Sequence, residues 1–213
     1  MSLSLRGIAR RYKGVTGGFS VIRDIFGVST VSGNVSLRSK LQSLSRENHS
    51  FQKSECVFKW TAAFEQTWSH IVIRISLNPD SGIPAATINN LMTTWQNGIQ
   101  SIWNNHWSCG RLGEAICPFT FEVQWVSANA HHTVQVHSGS GRANMLNWYT
   151  LNGGNVAAHE FGHMLGLVDE YSEPAVCPNR NPVNTGTIMD NNSNNIPARM
   201  MTRFADNIGS NVV

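Results

Sequence analysis

The sequence predicts a single α+β domain, and three observations carry that expectation. Short runs of β-branched or alternating residues give separate strands. One long stretch repeats apolar residues at helical spacing. A second helix sets two His and a Glu into an otherwise apolar ground. The pattern predicts a twisted sheet backed by two long helices, with a further helix at the C-terminus.

The elements follow in chain order. Residues 1–53 are rich in Ser, Gly and Arg and show little sustained periodicity. They read as a leader with at most transient helix, and the folded domain is expected to span 54–213. His70–Leu77 is a β-branched run that reads as a central strand, and Asn78-Pro-Asp-Ser-Gly82 then turns the chain. Ile88, Leu91, Met92, Trp95, Ile99, Ile102 and Trp103 form the apolar stripe of a long amphipathic helix, with Pro84 suited to its first turn. Its Trp and Met residues read as core. Phe119, Phe121, Val123 and Trp125 alternate as in a half-buried strand, and so does His132–His137. His131, His132 and His137 read as structural histidines rather than as ligands of a second metal. The next helix covers 154–165. A loop rich in Pro and Asn spans 172–195. A last helix over 197–208 brings Met200, Met201, Phe204 and Ile208 onto one face.

Composition sets limits on function. The chain has 213 residues, of which 41% are hydrophobic, enough for one core. No apolar run approaches the ~20 residues of a membrane span. The net charge of +3 hides a split, because residues 1–53 carry nine Lys/Arg against two acids, and the remainder carries seven against eleven. The basic segment has no zinc-finger or helix-turn-helix pattern, so nucleic-acid binding rests on charge alone and is disfavoured. The N-terminus lacks the apolar region of a secretory signal, although its Arg- and Ser-rich composition also describes an organellar presequence. Cys109 and Cys117 bracket a short loop that would suit a local disulfide. Cys177 pairs with Cys56, stays free or approaches a metal, and the sequence does not choose among these.

The chemistry concentrates in 159–170, His-Glu-Phe-Gly-His-Met-Leu-Gly-Leu-Val-Asp-Glu. Positions i and i+4 share a helix face, so His159 and His163 can aim at one ion. Glu160 sits beside the first ligand as a general base. Gly166 can adopt the left-handed conformation that ends a helix and turns the chain back. Asp169 is the side chain that this bend would return as third ligand, with Glu170 and Asp206 as fallbacks. Two His and one Asp suit Zn2+ with an open water position. Burying two His and a Glu without partners would cost several kcal/mol, which favours a metal over a bare apolar helix.

The stretch resembles the metzincin zinc metallopeptidases, with pattern H-E-x-x-H-x-x-G-x-x-H/D, and Asp169 is similar to the third position of the snapalysin-type branch. Thr185-Gly-Thr-Ile-Met-Asp190 resembles the Met-turn that follows, which would lay Met189 beneath the zinc as a hydrophobic floor. Some metzincins carry a Tyr two residues after that Met. Asn191 stands here instead, and Tyr149 or Tyr171 either takes the role or packs. The resemblance implies a zinc endopeptidase acting on a protein or peptide, which could bind as an added strand if the strand around 134–140 is a sheet edge. The wider segment 95–190 also resembles metallopeptidase toxin effectors of bacterial injection systems. That likeness implies delivery without a classical signal peptide, through a secretion or injection apparatus engaging residues 1–53. The reading from another class is a secreted or injected binding protein with a non-catalytic metal. Glu160, which a structural site does not require, argues for catalysis.

Overall fold

The computed structural model describes residues 46–67, 69–104, 108–109 and 117–208, with backbone alone for 108–109 and 117. Among them the chain forms an α+β fold with a mixed six-stranded sheet, a two-stranded ribbon and four helices. β1 (Glu47–Glu55) and β2 (Phe58–Thr67) make an antiparallel hairpin paired from end to end, turning at Cys56 and Val57. β3 (His70–Pro79) is the hub: residues 70–72 pair antiparallel with β2, 70–75 parallel with β6 (Thr120–Trp125), and 75–79 parallel with β7 (His132–His137). β8 (Asn147–Tyr149) closes that side parallel to β7. β4 (Ser108–Cys109) and β5 (Cys117–Pro118) form the separate ribbon, in which Cys109 lies opposite Cys117. The expected bond between those two thiols falls on side chains outside the described residues.

The long helix α1 runs over Ala85–Trp103, and Pro84 is its N-cap rather than part of its first turn. Ile88, Trp95, Ile99, Ile102 and Trp103 of the expected stripe are buried. Each such side chain contributes about 1.5–3 kcal/mol when fully removed from water. α2 (Gly154–Met164) packs against α1 through two glycines. A Cβ on Gly98 would collide with the backbone of Gly154, so nothing larger fits the crossing. Two indoles then fasten the pair: Trp95 Nε1 donates to Asn152 O, and Trp103 Nε1 donates to Ala158 O, both at 2.9 Å. α3 (Ile188–Asn191) is a single turn, and α4 (Ala198–Asn207) docks by Phe204. That ring lies 5.4–5.6 Å from the rings of Phe64, Phe119 and Phe121.

Two sequence expectations change here. β1 crosses residue 54, and residues 47–53 pair with β2, so the sheet takes in the end of the segment read as a leader. Residues 1–45 lie outside the described part. β7 is not an edge, because β3 and β8 flank it on its two sides. No helix among the described residues is long and apolar enough to cross a membrane.

Candidate metal centre

α2 is built to bury its functional face. Ala157, Ala158, His159, Glu160, Phe161, Gly162 and Met164 are all buried. Gly162 is the floor of this face: a Cβ there would stand 2.5 Å from Met189 Sδ and 3.2 Å from Trp103 Cζ2. The fully buried Met189 therefore lies against α2 at Gly162. The helix stops in a Schellman motif. Gly166, at φ +88°, donates its N–H to His163 O (2.9 Å), and Leu167 donates to Gly162 O (3.0 Å). The reversed chain then runs to Asp169, and the N–H of Glu170 donates to Met189 O at 2.7 Å.

The turn brings three side chains together. Asp169 Oδ1 is 3.1 Å from His159 Nε2 and 3.2 Å from His163 Nε2. Each histidine spends its other nitrogen on a main-chain carbonyl: His159 Nδ1 donates to Ile188 O (2.7 Å), and His163 Nδ1 donates to Leu167 O (2.9 Å). A carbonyl only accepts, so the proton must sit on Nδ1, and Nε2 is the atom turned to Asp169. That is the arrangement by which second partners orient ligating imidazoles. Ligands about 2.0–2.1 Å from a tetrahedral ion lie about 3.3 Å apart, close to the spacing here. His159, Glu160 and His163 offer atoms within 4.8 Å of one another. Glu160 Oε2 is buried with no hydrogen-bond partner. The residues fit a divalent cation: their donor set is imidazole and carboxylate, and a buried carboxylate oxygen of Glu160 is left without a partner beside them.

The electrostatics are those of a cation site. Burial works against charge on His163, but the hydrogen bond and charge of Asp169, helped by Glu160, push it up to about 9. Burial alone would raise Asp169, yet hydrogen bonds from both histidines hold its carboxyl well below the usual carboxylate range. Glu160 is raised by its burial, with the histidines opposing.

The site opens to a cleft of about 370 Å³. One wall is Phe58, Lys59 and Trp60 of β2, and the other is the segment 142–146 that leads into β8. Trp60 Nε1 donates to His163 O at 2.9 Å, tying that wall to the ligand helix. Tyr171 lies in the cleft, stacked 6.4 Å from the His159 ring, and Arg142 donates to its hydroxyl at 2.7 Å. Burial, and then the charge of Asp169, push the Tyr171 phenol up to about 12.

Comparisons with protein-family models, curated proteins and solved structures return no match for this chain.

The chain carries a buried His159–Glu160–His163 group of zincin type on a helix, a candidate metal site. The fallback ligands do not join it. Glu170 is fully buried. Thr185 and Thr187 donate to Glu170 Oε2 at 2.7 and 2.8 Å, and Arg199 and Arg203 pair with its carboxylate. It ties the Met189 turn to α4. Asp206 is exposed on α4. Tyr149 packs 5.1 Å from the His137 ring, whereas Tyr171 faces the cleft. The other histidines are satisfied structurally, by Arg74 for His131, Ala63 O for His132, and Asp80 with Asn147 for His137.

Of the three fates open to Cys177, the structure shows the bond to Cys56, joining the hairpin tip to the loop after Asp169. One feature had no signal in the sequence. Arg180, in that loop, has a side chain only 1% exposed and an Nη2 3.0 Å from Glu55 Oε2 and 3.6 Å from Asp169 Oδ2.

Proposed function

We propose that the protein is a zinc-dependent endopeptidase of metzincin type, with His159, His163 and Asp169 as ligands and Glu160 as general base. One observation supports this above the others. Beside two histidines whose Nε2 atoms converge on Asp169, Glu160 keeps a buried oxygen with no partner. A structural ion needs no such carboxylate. Zinc bound there would lower the pKa of a water toward ~7 and polarise a carbonyl oxygen. Glu160, its pKa already raised by burial, takes the proton of the attacking water and returns it to the leaving amine. Tyr171 keeps its proton through the neutral range and can donate to negative charge growing on the carbonyl oxygen. The substrate peptide lies between β2 and residues 142–146, where Phe58 and Leu146 are exposed apolar contacts. Export or injection of the domain, with the chain ahead of β1 engaging the delivery apparatus, is part of this reading. The Cys56–Cys177 bond fits an oxidising destination.

Metal analysis and peptide cleavage by wild type and Glu160→Gln test the reading. Both should hold about one zinc per chain, and the variant should lose about 10²–10⁴-fold in cleavage. Equal cleavage by the two removes Glu160 from its role. Wild type that binds zinc but cuts no member of a peptide library is a non-catalytic metal protein.

A further inference from the structure

Asp169 is a short side chain on a stretch without regular structure, yet its Oδ1 meets two imidazoles at nearly equal distances. Something must hold it. Backbone order on one side comes from the Gly166 turn and from the Glu170–Met189 hydrogen bond. The carboxylate itself can still rotate, and its outer oxygen, Oδ2, needs a partner.

We infer that Arg180 is the positioning residue of this centre: its buried guanidinium engages the outer oxygen of Asp169 and so fixes the inner oxygen on the two histidines. This rests on the metal-centre reading above and adds a residue to it. Three contacts give the guanidinium its leverage. Nη1 donates to Tyr171 O at 2.8 Å, fixing the main chain two residues beyond Asp169. Its plane lies 4.6 Å from the centre of the Tyr171 ring. Nη2 faces Glu55 Oε2 at 3.0 Å, Asp169 Oδ2 at 3.6 Å and Glu173 Oε2 at 3.9 Å. One planar fork thus controls both the side chain and the backbone of the third-ligand segment, which a point charge such as Lys does not do.

Arg180 is itself clamped from two sides. Its N–H donates to Cys177 O, and Cys177 is bonded to Cys56, the residue after Glu55. The disulfide therefore keeps the carboxylate partner and the arginine loop at one place. Without the guanidinium, Glu55, Asp169 and Glu173 would be three carboxylates around a buried space with no cation among them. Their repulsion would turn Asp169 outward.

The test uses the full chain and reads metal binding rather than turnover. Zn2+ dissociation constants are measured by competition with a chromophoric chelator, and the Co2+-loaded protein is followed by its visible absorption. Arg180→Gln and Arg180→Lys should weaken Zn2+ binding by about 10–100-fold, and the Co2+ bands should lose intensity. Arg203→Gln, which removes a buried contact to Glu170 but touches no ligand, should stay within about twofold of wild type. Retention of wild-type affinity by folded Arg180→Lys and Arg180→Gln overturns the inference. If neither folds, Glu55→Gln decides. It leaves every proposed ligand in place and neutralises the closest carboxylate partner of Arg180, so binding should weaken several-fold. An unchanged constant there is equally fatal. Wild type that binds neither Zn2+ nor Co2+ refutes the metal centre itself, which is a different result from tight binding that ignores Arg180.

Discussion

Replacing Gly166 by Ala separates backbone strain from packing at the turn that returns Asp169. The residue sits at φ +88°, where an L side chain costs about 1–2 kcal/mol. A Cβ there would also meet Phe51 Cε2 at 2.8 Å, and Asn207 Nδ2 and Lys53 Cε at 3.1 Å. Lys53 and Asn207 are held by one hydrogen bond of 2.7 Å and can give way. Phe51 is a ring in the paired strand β1, packed against Phe64, and cannot move without opening the hairpin. Overpacking of this kind adds about 1–3 kcal/mol, so the expected total is about 2–5 kcal/mol. Gly139 is the control: it has φ +82° and nothing within 4 Å of a new Cβ, so Gly139→Ala should cost only the backbone penalty of about 1–2 kcal/mol. At about 2–4 °C per kcal/mol for a chain of this size, Gly166→Ala should lower the melting temperature by roughly 4–20 °C, and Gly139→Ala by roughly 2–8 °C. Calorimetry of the two proteins measures the difference. A drop for Gly166→Ala no larger than for Gly139→Ala would show that β1 does not press on the turn. Zn2+ binding adds a second measure, because only Gly166→Ala should weaken it.

Two further outcomes are expected away from the ligand set. His131 is pushed down to about 4 by burial and then by the Arg74 guanidinium, from 6.5 in the open chain. Between those values the unfolded chain binds a proton that the folded protein refuses, so stability should fall as pH drops from about 6.5 to about 4 and level off below. An NMR midpoint for His131 near 6.5, or no decline over that window, contradicts this. Replacing Cys56 and Cys177 together by Ser releases a cross-link spanning 121 residues. The loss should be about 2–5 kcal/mol in denaturant unfolding, with weaker zinc retention. A denaturation midpoint equal to wild type rules it out.

The helices were legible because apolar spacing is a local property. The stripe from Ile88 to Trp103 needs only its own residues, and so does the His159/His163 face. Gly166 was legible for the same reason, since a glycine three residues after a helical ligand has few other uses. β1 was not. Its inward positions include His49, Phe51 and Lys53, of which only Phe51 is apolar, so the alternation is nearly silent against a Ser- and Arg-rich background. What makes it a strand is β2, and pairing is a long-range property. Arg180 and Glu170 were illegible for a related reason. A charged residue in a polar loop reads as solvated, and its burial depends on counter-charges that arrive from elsewhere: Glu55 from the hairpin for one, Arg199 and Arg203 from α4 for the other.

That division bears on the chemistry. At the candidate centre the polar atoms of the two histidines and of Asp169 all have partners. Both nitrogens of His159 and His163 are engaged, one with a carbonyl and one with Asp169. Both oxygens of Asp169 are engaged, one with the histidines and one with Arg180. Glu160 Oε2 is left over. A buried polar atom without a partner costs about 1–3 kcal/mol, and more when charged. This one is a carboxylate oxygen beside the histidine nitrogens of the candidate centre, on a residue that lines the cleft. It is the group whose partner is expected to be a reactant rather than part of the protein.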